Sequence, residues 1–222
     1  MINLTIKFSS EYEVERIKWT LGDLQWYEDN GYGPKFPKNL KISPGANISE
    51  YQIKESVNSE YSEDDFKIQE RYLLDNWHRV IDEASAELEK TSLRSVDMYT
   101  VYLTKYGVGG SYNYPHSVVV NIKSKYEKGL LRTVFHEIIH LMIHPWIIEH
   151  KVSHWQKERI VDLLTTKFVP QISRAQEIRA NIIEPVDRIF NEHYPNIELV
   201  IKNVGRHLAI PDKLCYKIKQ IR

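Results

Sequence analysis

The sequence predicts an α+β fold, in which helices and a small sheet occupy separate stretches of the chain. Helical spacing of apolar residues dominates residues 9–29, residues 62–90 and the chain from about Ser124 onward. Two short runs between them are rich in β-branched and aromatic residues, as strands are. The order of the elements shows no alternating βαβ pattern. The 222 residues are interpreted as one domain with a helix-rich N-terminal part, of which residues 1–60 are a candidate small lobe.

The first part of the chain is predicted to contain one strand and two helices. Residues 1–8 alternate apolar and polar side chains, as a half-buried strand does. Residues 9–29 follow with helical spacing. Residues 30–61 are polar and are interrupted by Pro44-Gly45, which predicts a loop with weak structure. A long helix is then expected over residues 62–90, because a serine can cap its first turn.

The middle of the chain is predicted to form a small sheet and the start of a helical pair. Residues 96–103 and 117–122 are the expected strands. The glycine-rich segment 107–115 between them suits a turn and an exposed sheet edge. A helix over residues 124–144 should end there, because Pro145 disfavours the helical conformation in the residue before it.

Two further helices are predicted after this point. Ser153 can cap a helix that ends near Val169, where Pro170 follows. Residues 185–194 predict the last helix, and the remaining tail is predicted to be less regular.

The composition argues against two classes of function. Thirty basic residues balance thirty acidic ones, so neither a nucleic-acid surface nor a membrane surface is expected. The single cysteine, Cys215, rules out an internal disulfide and fits a reducing compartment. The first residues lack the features of a signal peptide, and no apolar run approaches the roughly 20 residues of a membrane span. A cytoplasmic protein is expected, or a secreted one whose signal is absent from this sequence.

The motif His136-Glu137-Ile138-Ile139-His140 is the strongest functional signal in the chain. Its two histidines lie one helical turn apart, so both rings project from one face at a spacing of about 6 Å. Two imidazoles in that arrangement can share one zinc ion at about 2.0–2.1 Å. Glu137 then sits beside the metal, where it can take a proton from a metal-activated water. The apolar flanks bury the helix, and polar side chains in a core need a reason.

A catalytic zinc usually has three protein ligands, so one more is expected beyond the motif. The candidates that follow it are His144, Glu149, His150, His154 and Glu158. His144 is excluded, because it lies about 12 Å beyond His136 along one helix. His150 and His154 lie in or just after the turn, and their spacing does not exclude them.

Glu158 is the favoured third ligand. The first helix runs about one turn past His140, the chain reverses around Pro145, and a second helix starts near Ser153. Glu158 therefore lies in the second turn of the returning helix, at about the height of the histidines. Asp162 lies on the same face, where it can accept a hydrogen bond from the outer nitrogen of a zinc-bound histidine.

The order His136-Glu137-x-x-His140 followed, after a helix reversal, by Glu158-x-x-x-Asp162 resembles the gluzincin metallopeptidases, which include thermolysin. The resemblance covers roughly residues 118–169. It implies a zincin-like fold, in which an edge strand lines the cleft and pairs with the extended substrate. It also implies that His136, His140 and Glu158 are the zinc ligands, that Glu137 is the general base and that Asp162 supports a ligand.

The sequence departs from the patterns of known zinc peptidases in two respects. Gluzincins usually supply a further histidine or tyrosine that stabilises the oxyanion, and no spacing selects one among His193, Tyr194 and His207. Trp146 stands where the longer metzincin pattern needs a third histidine. The N-terminal third resembles no specific family.

The expected function is therefore zinc-dependent hydrolysis of a peptide or protein substrate. One alternative is a zincin-like scaffold that serves binding or regulation without peptidase activity. Another is a helical protein in which the motif arose by chance. Glu137 argues against a purely structural metal, because a structural site has no need of a base beside the ion.

Overall fold

The structure is a computed structural model that describes residues 2–42, 48–123, 127–174 and 176–207. Over these residues the chain is an α+β protein with eight helices and four strands, which confirms the α+β class, while the zincin-like fold stays a prediction. None of the described helices combines the length and the apolar character needed to cross a bilayer. The elements are β1 (Asn3–Lys7), α1 (Ser10–Gly22), α2 (Leu24–Asp29), α3 (Glu50–Glu60), α4 (Glu63–Leu88), β2 (Met98–Thr104), β3 (Gly110–Asn113), β4 (Ser117–Asn121), α5 (Glu127–Glu149), α6 (His154–Phe168), α7 (Ala180–His193) and α8 (Ile197–His207).

The four strands form one mixed sheet in the order β1-β2-β4-β3. β1 pairs in parallel with β2, with Asn3 opposite Met98, and β2 pairs in parallel with β4, with Thr100 opposite Ser117. β3 runs antiparallel to β4 and lies at the edge of the sheet. The three predicted strands are confirmed, and the glycine-rich segment predicted as a turn and an exposed edge contains β3.

The helix predicted over residues 9–29 is present but is divided at Asp23 into α1 and α2. Ser9 caps α1, since its hydroxyl accepts a hydrogen bond from the backbone N–H of Tyr12 at 3.1 Å. Val14 and Ile17 on the inner face of α1 belong to a buried apolar cluster. This cluster is the part of the core that holds the N-terminal helices together.

α3 lies in the stretch for which the sequence predicts a loop, so that prediction is wrong here. A capping box between Ser49 and Gln52 starts the helix, and Ile53 and Val57 join the apolar cluster beneath α1. The buried stripe is narrow and the rest of the helix is polar, which explains why composition favoured a loop. The predicted break at Pro44-Gly45 lies outside the described residues.

α4 confirms the long helix predicted before the sheet. Leu73 and Trp77 are buried on its inner face. The indole N–H of Trp77 donates a hydrogen bond to the backbone carbonyl of Ile2 at 3.0 Å. This bond ties the residue just before β1 to α4.

α5 continues past the point at which the sequence predicts its end. Pro145 lies inside the helix, so the predicted end near His144 is wrong. An internal proline removes one backbone hydrogen bond and costs roughly 3 kcal/mol. Ile143 and Ile147 on either side are buried, and their apolar burial offsets that cost. The predicted start near Ser124 lies outside the described residues.

The C-terminal part is more helical than predicted. α6 confirms the helix capped at Ser153, and α7 starts at Ala180, earlier than expected. α8 occupies a stretch predicted to be less regular, so that prediction is wrong. Its buried residues recur at helical spacing, so the sequence itself contains the signal for α8; they are Ile197, Val200, Ile201 and Val204. Cys215 lies outside the described residues.

The chain divides into two compact units. The first contains Met1–His78 and Asp97–Glu137, and therefore holds the sheet with α1, α2 and α3. The second contains Arg79–Val96 and the described chain from Ile138 onward, with α6, α7 and α8. α4 and α5 each contribute residues to both units. Residues 1–60 belong to the same unit as the sheet.

Candidate metal centre

α5 carries the histidine motif on a largely buried stretch of helix. Ile138 and Ile139, between the two histidines, are fully buried. His140 has an exposed fraction of 2% and Glu137 of 7%, whereas His136 is half-buried. Because the apolar residues of this stretch are buried, the polar motif lies largely in the interior. Buried imidazole and carboxylate groups need hydrogen-bonding or charged partners there.

α6 supplies the carboxylate that faces the second histidine. The side-chain oxygen of Gln156 accepts a hydrogen bond from the backbone N–H of Ser153 at 3.0 Å, and this capping box sets the start of the helix. Glu158 follows in the second turn and is 6% exposed. Its Oε2 lies 3.4 Å from Nε2 of His140.

The structure brings the three favoured ligands together. One side-chain donor atom from each of His136, His140 and Glu158 lies within 4.8 Å of the other two. Among the described residues, this is the group of histidine, cysteine and acidic side chains with the spacing for a metal ion. The cluster can therefore hold an ion.

One ligand pair of the cluster has the separation expected at a tetrahedral metal ion. Two ligands bound tetrahedrally at about 2.0–2.2 Å lie about 3.3–3.6 Å from each other. The 3.4 Å between His140 Nε2 and Glu158 Oε2 falls in that range. Two imidazoles and one carboxylate form a donor set suited to zinc and to other divalent transition metals.

Polar side chains surround both oxygens of the Glu158 carboxylate. Oε2 accepts a hydrogen bond from Nε2 of Gln176 at 2.9 Å. Oε1 lies 3.3 Å from Nζ of Lys157 and 3.6 Å from Nδ1 of His154. These neighbours offset the free-energy cost of burying a negative charge.

His154, one of the alternatives for the third ligand, is not part of the cluster. Burial lowers the pKa of His154 to about 3, with Lys157 acting in the same direction and Glu158 opposing it. The ring is therefore neutral over the physiological pH range. The remaining candidates, His144, Glu149 and His150, also lie outside the cluster.

Asp162 lies one turn after Glu158 on α6 and is 3% exposed. Its Oδ2 accepts a hydrogen bond from the backbone N–H of Gln176 at 2.7 Å. Its predicted role as acceptor for a metal-bound histidine stays a prediction. Gln176 itself was not expected at the site, because it lies in the irregular connection between α6 and α7, where no periodicity marks a residue.

β3 approaches the motif through a glycine. A Cβ atom at Gly110 would overlap Oε1 of Glu137 and would lie 2.6 Å from Cγ2 of Thr133. Both contacts are closer than non-bonded atoms allow, so only glycine fits this position without a shift. The backbone of the edge strand therefore lies directly against the Glu137 carboxylate.

The three candidates for oxyanion stabilisation lie at the ends of the C-terminal helices, with Tyr194 directly after α7. The hydroxyl of Tyr194 donates a hydrogen bond to Oε2 of Glu87 at 2.6 Å, and burial together with this bond raises the pKa of Tyr194. Nε2 of His193 lies 3.8 Å from Oε1 of Glu192, and His207 is exposed at the end of α8. No contact selects one of them, and their role stays a prediction.

Comparison with known proteins returned no significant match to a protein-family model, a curated protein or a solved structure.

Proposed function

We propose that this chain is a zinc-dependent peptidase of the gluzincin type. The observation that carries the proposal is the clustering of His136, His140 and Glu158, with Glu137 following the first histidine on the same helix. A chance motif gives no reason for a buried carboxylate from a separate helix to face His140. The resemblance to gluzincins and the geometry of the cluster support the same ligand set.

In this proposal His136, His140 and Glu158 hold zinc through two imidazole nitrogens and one carboxylate oxygen. Zinc, when bound, supplies Lewis acidity that polarises a scissile carbonyl and lowers the pKa of water. Three protein ligands leave a fourth position open, which is the arrangement of catalytic and not of structural zinc sites.

Glu137 is the proposed general base. Its carboxylate takes the proton of the attacking water and passes it to the leaving amine, so that the carboxylate is regenerated in each cycle. The position beside Gly110 supports this role, because a buried carboxylate next to backbone has less freedom to reorient. A structural metal site would have no use for such a group.

The proposed substrate is an extended peptide segment of a protein. β3 pairs with β4 along one side and lies at the edge of the sheet, and its Gly110 adjoins Glu137. An exposed strand edge offers backbone donors and acceptors that suit an extended chain. This arrangement is the one that the zincin resemblance implies for substrate binding.

The proposal is tested by measuring cleavage of an unfolded protein substrate with zinc-loaded protein, with and without a chelator. Glu137→Gln keeps the shape of the side chain and removes its basicity, so cleavage should fall by ~10³-fold while zinc stays bound. Glu149→Gln makes the same change at an exposed position near the end of α5 and should leave the rate unchanged. Zinc-loaded wild-type protein that cleaves no substrate would instead favour a binding or regulatory protein.

A further inference from the structure

Gln176 contacts both carboxylates of α6 through different atoms. Its side-chain Nε2 donates a hydrogen bond to Oε2 of Glu158 at 2.9 Å, and its backbone N–H donates to Oδ2 of Asp162 at 2.7 Å. Gln176 is therefore hydrogen-bonded to α6 at two points.

We propose that Gln176 is a positioning residue of the metal centre, whose side-chain amide holds Glu158 with Oε2 turned toward His140. The inference deepens the proposed function and rests on the metal site that it contains. It does not depend on peptide hydrolysis.

The first step of the argument concerns the freedom of the Glu158 carboxylate. The last torsion of a glutamate is soft, so its two oxygens can exchange places unless contacts hold them. Oε1 is drawn toward Lys157, whereas Oε2 is the oxygen that lies 3.4 Å from His140. The bond from Gln176 to Oε2 therefore helps to decide which oxygen faces the histidine.

The second step concerns the rigidity of the donor. The backbone N–H of Gln176 is bonded to Asp162, which is itself buried on a regular helix. The side-chain amide thus starts from an anchored backbone, and less conformational entropy is lost when it orients Glu158. A donor on an unanchored loop would give a weaker constraint.

The third step concerns charge. A carboxylate oxygen has about two lone-pair sites, so Oε2 can accept from the amide and still present a lone pair to an ion. The amide is neutral, and it leaves the negative charge of Glu158 available to a cation. A lysine or arginine at this position would compete with the metal for that charge.

The inference is tested with Gln176→Met, which keeps the side-chain length and the backbone N–H but removes the amide. Zinc affinity of the full chain, measured by competition with a chromophoric chelator, should fall by ~10–100-fold. Gln171→Met makes the same substitution at an exposed position in the same connection and should match the wild type.

A second measurement separates positioning from general stability. The visible absorption of cobalt-substituted protein reports the ligand geometry, so it should change in Gln176→Met and stay unchanged in Gln171→Met. Weaker affinity with an unchanged cobalt spectrum would overturn the inference, as would equal zinc affinity in the wild type and Gln176→Met. If Gln176→Met does not fold, Gln176→Asn places the same amide about 1.5 Å short and must show the same loss.

The outcomes also separate this inference from the proposed function. Tight zinc binding that depends on Gln176, without cleavage of any peptide, would remove the peptidase and keep the positioning role. A wild-type chain that binds no zinc would overturn both.

Discussion

Gly110 on β3 and Glu137 on α5 approach so closely that the Glu137 carboxylate fills the space in which a side chain at position 110 would begin. Thr133, one turn before Glu137 on the same helix, closes the other side of that space. The proposed general base can therefore occupy this position partly because the edge strand has no side chain at residue 110. A methyl group at this glycine would have to displace either the strand or the carboxylate.

Gly110→Ala is expected to lower the rate of peptide cleavage by ~10²-fold, because a displacement of about 1 Å in a catalytic group has an effect of that order. Zinc content should stay near one per chain, since the atoms nearest to a Cβ at position 110 belong to Glu137 and Thr133 and not to a proposed ligand. Gly33→Ala is the control, because a Cβ there meets nothing within 4 Å. Full activity in Gly110→Ala would show that the carboxylate can move aside without consequence.

Replacing Glu158, Asp162 or His154, which all lie on α6, should affect zinc binding to different degrees. Glu158→Ala should abolish tight binding, because it removes a proposed ligand. Asp162→Ala should weaken it by only ~10–100-fold, as is typical for groups that support a ligand. His154→Ala should retain binding, and equilibrium dialysis followed by elemental analysis measures all three. Loss of zinc in His154→Ala, with Glu158→Ala unaffected, would replace the gluzincin ligand set with three histidines.

Glu13 should make the free energy of unfolding depend on pH. Its carboxylate is buried, where it accepts hydrogen bonds from the Lys105 backbone N–H at 2.7 Å and from the Thr104 hydroxyl. Burial raises the pKa of Glu13 to about 7 despite these bonds. Between about pH 4.5 and pH 7 the folded state therefore binds more protons than the unfolded state, so this group lowers stability as the pH rises through that window.

Glu13→Gln removes this titration while it preserves the shape of the side chain. The wild type should lose on the order of 3 kcal/mol relative to Glu13→Gln between pH 4.5 and pH 7.5. Denaturant unfolding of both proteins at several pH values gives the difference between their free energies of unfolding. The contributions of the other titrating groups are the same in both proteins and cancel in this difference. Parallel pH profiles of the two proteins would rule out ionisation of Glu13 in this range.

Gly205→Ala should destabilise the fold even though it places a better helix former in α8. A Cβ at this position would overlap the backbone carbonyl oxygen of His150 and lie 3.1 Å from its Cβ. The expected loss is ~1–3 kcal/mol, since a backbone atom cannot rotate away as a side chain can. Gly22→Ala, where nothing lies within 4 Å, should instead gain ~0.5–1 kcal/mol. A melting temperature of Gly205→Ala above that of the wild type would contradict this close contact between position 205 and His150.

The candidate metal-binding cluster was predictable where it depends on local geometry. His136 and His140 share a face because of the helical repeat alone, and Glu158 follows from a helix whose start Ser153 marks. The end of α5 was not predictable in this way, because the preference of Pro145 is weaker than the burial of the residues around it. Gln176 depends on the path of an irregular connection, which no spacing rule describes.

Some helices can likewise be predicted from local sequence spacing, whereas others depend on tertiary contacts. The stripe of α8, from Ile197 to Val204, follows helical spacing, so a periodicity analysis contains it. α3 buries only Ile53, Ser56 and Val57, and its stability depends on the cluster that receives them. A short helix of this kind becomes visible only when its tertiary partner is known.

The parallel pairing of β1 with β2 has a consequence for biosynthesis. Asn3 hydrogen-bonds to the carbonyl of Asp97 across a sequence separation of 94 residues. At about 5–20 residues per second, translation leaves β1 without this partner for roughly 5–20 s. The nascent strand therefore emerges from the ribosome well before its sheet can form, and the closure of such a distant contact is an intrinsically slow step. Codon usage between the two strands would change the length of this interval. Chaperones that shield short apolar segments would protect β1 during it.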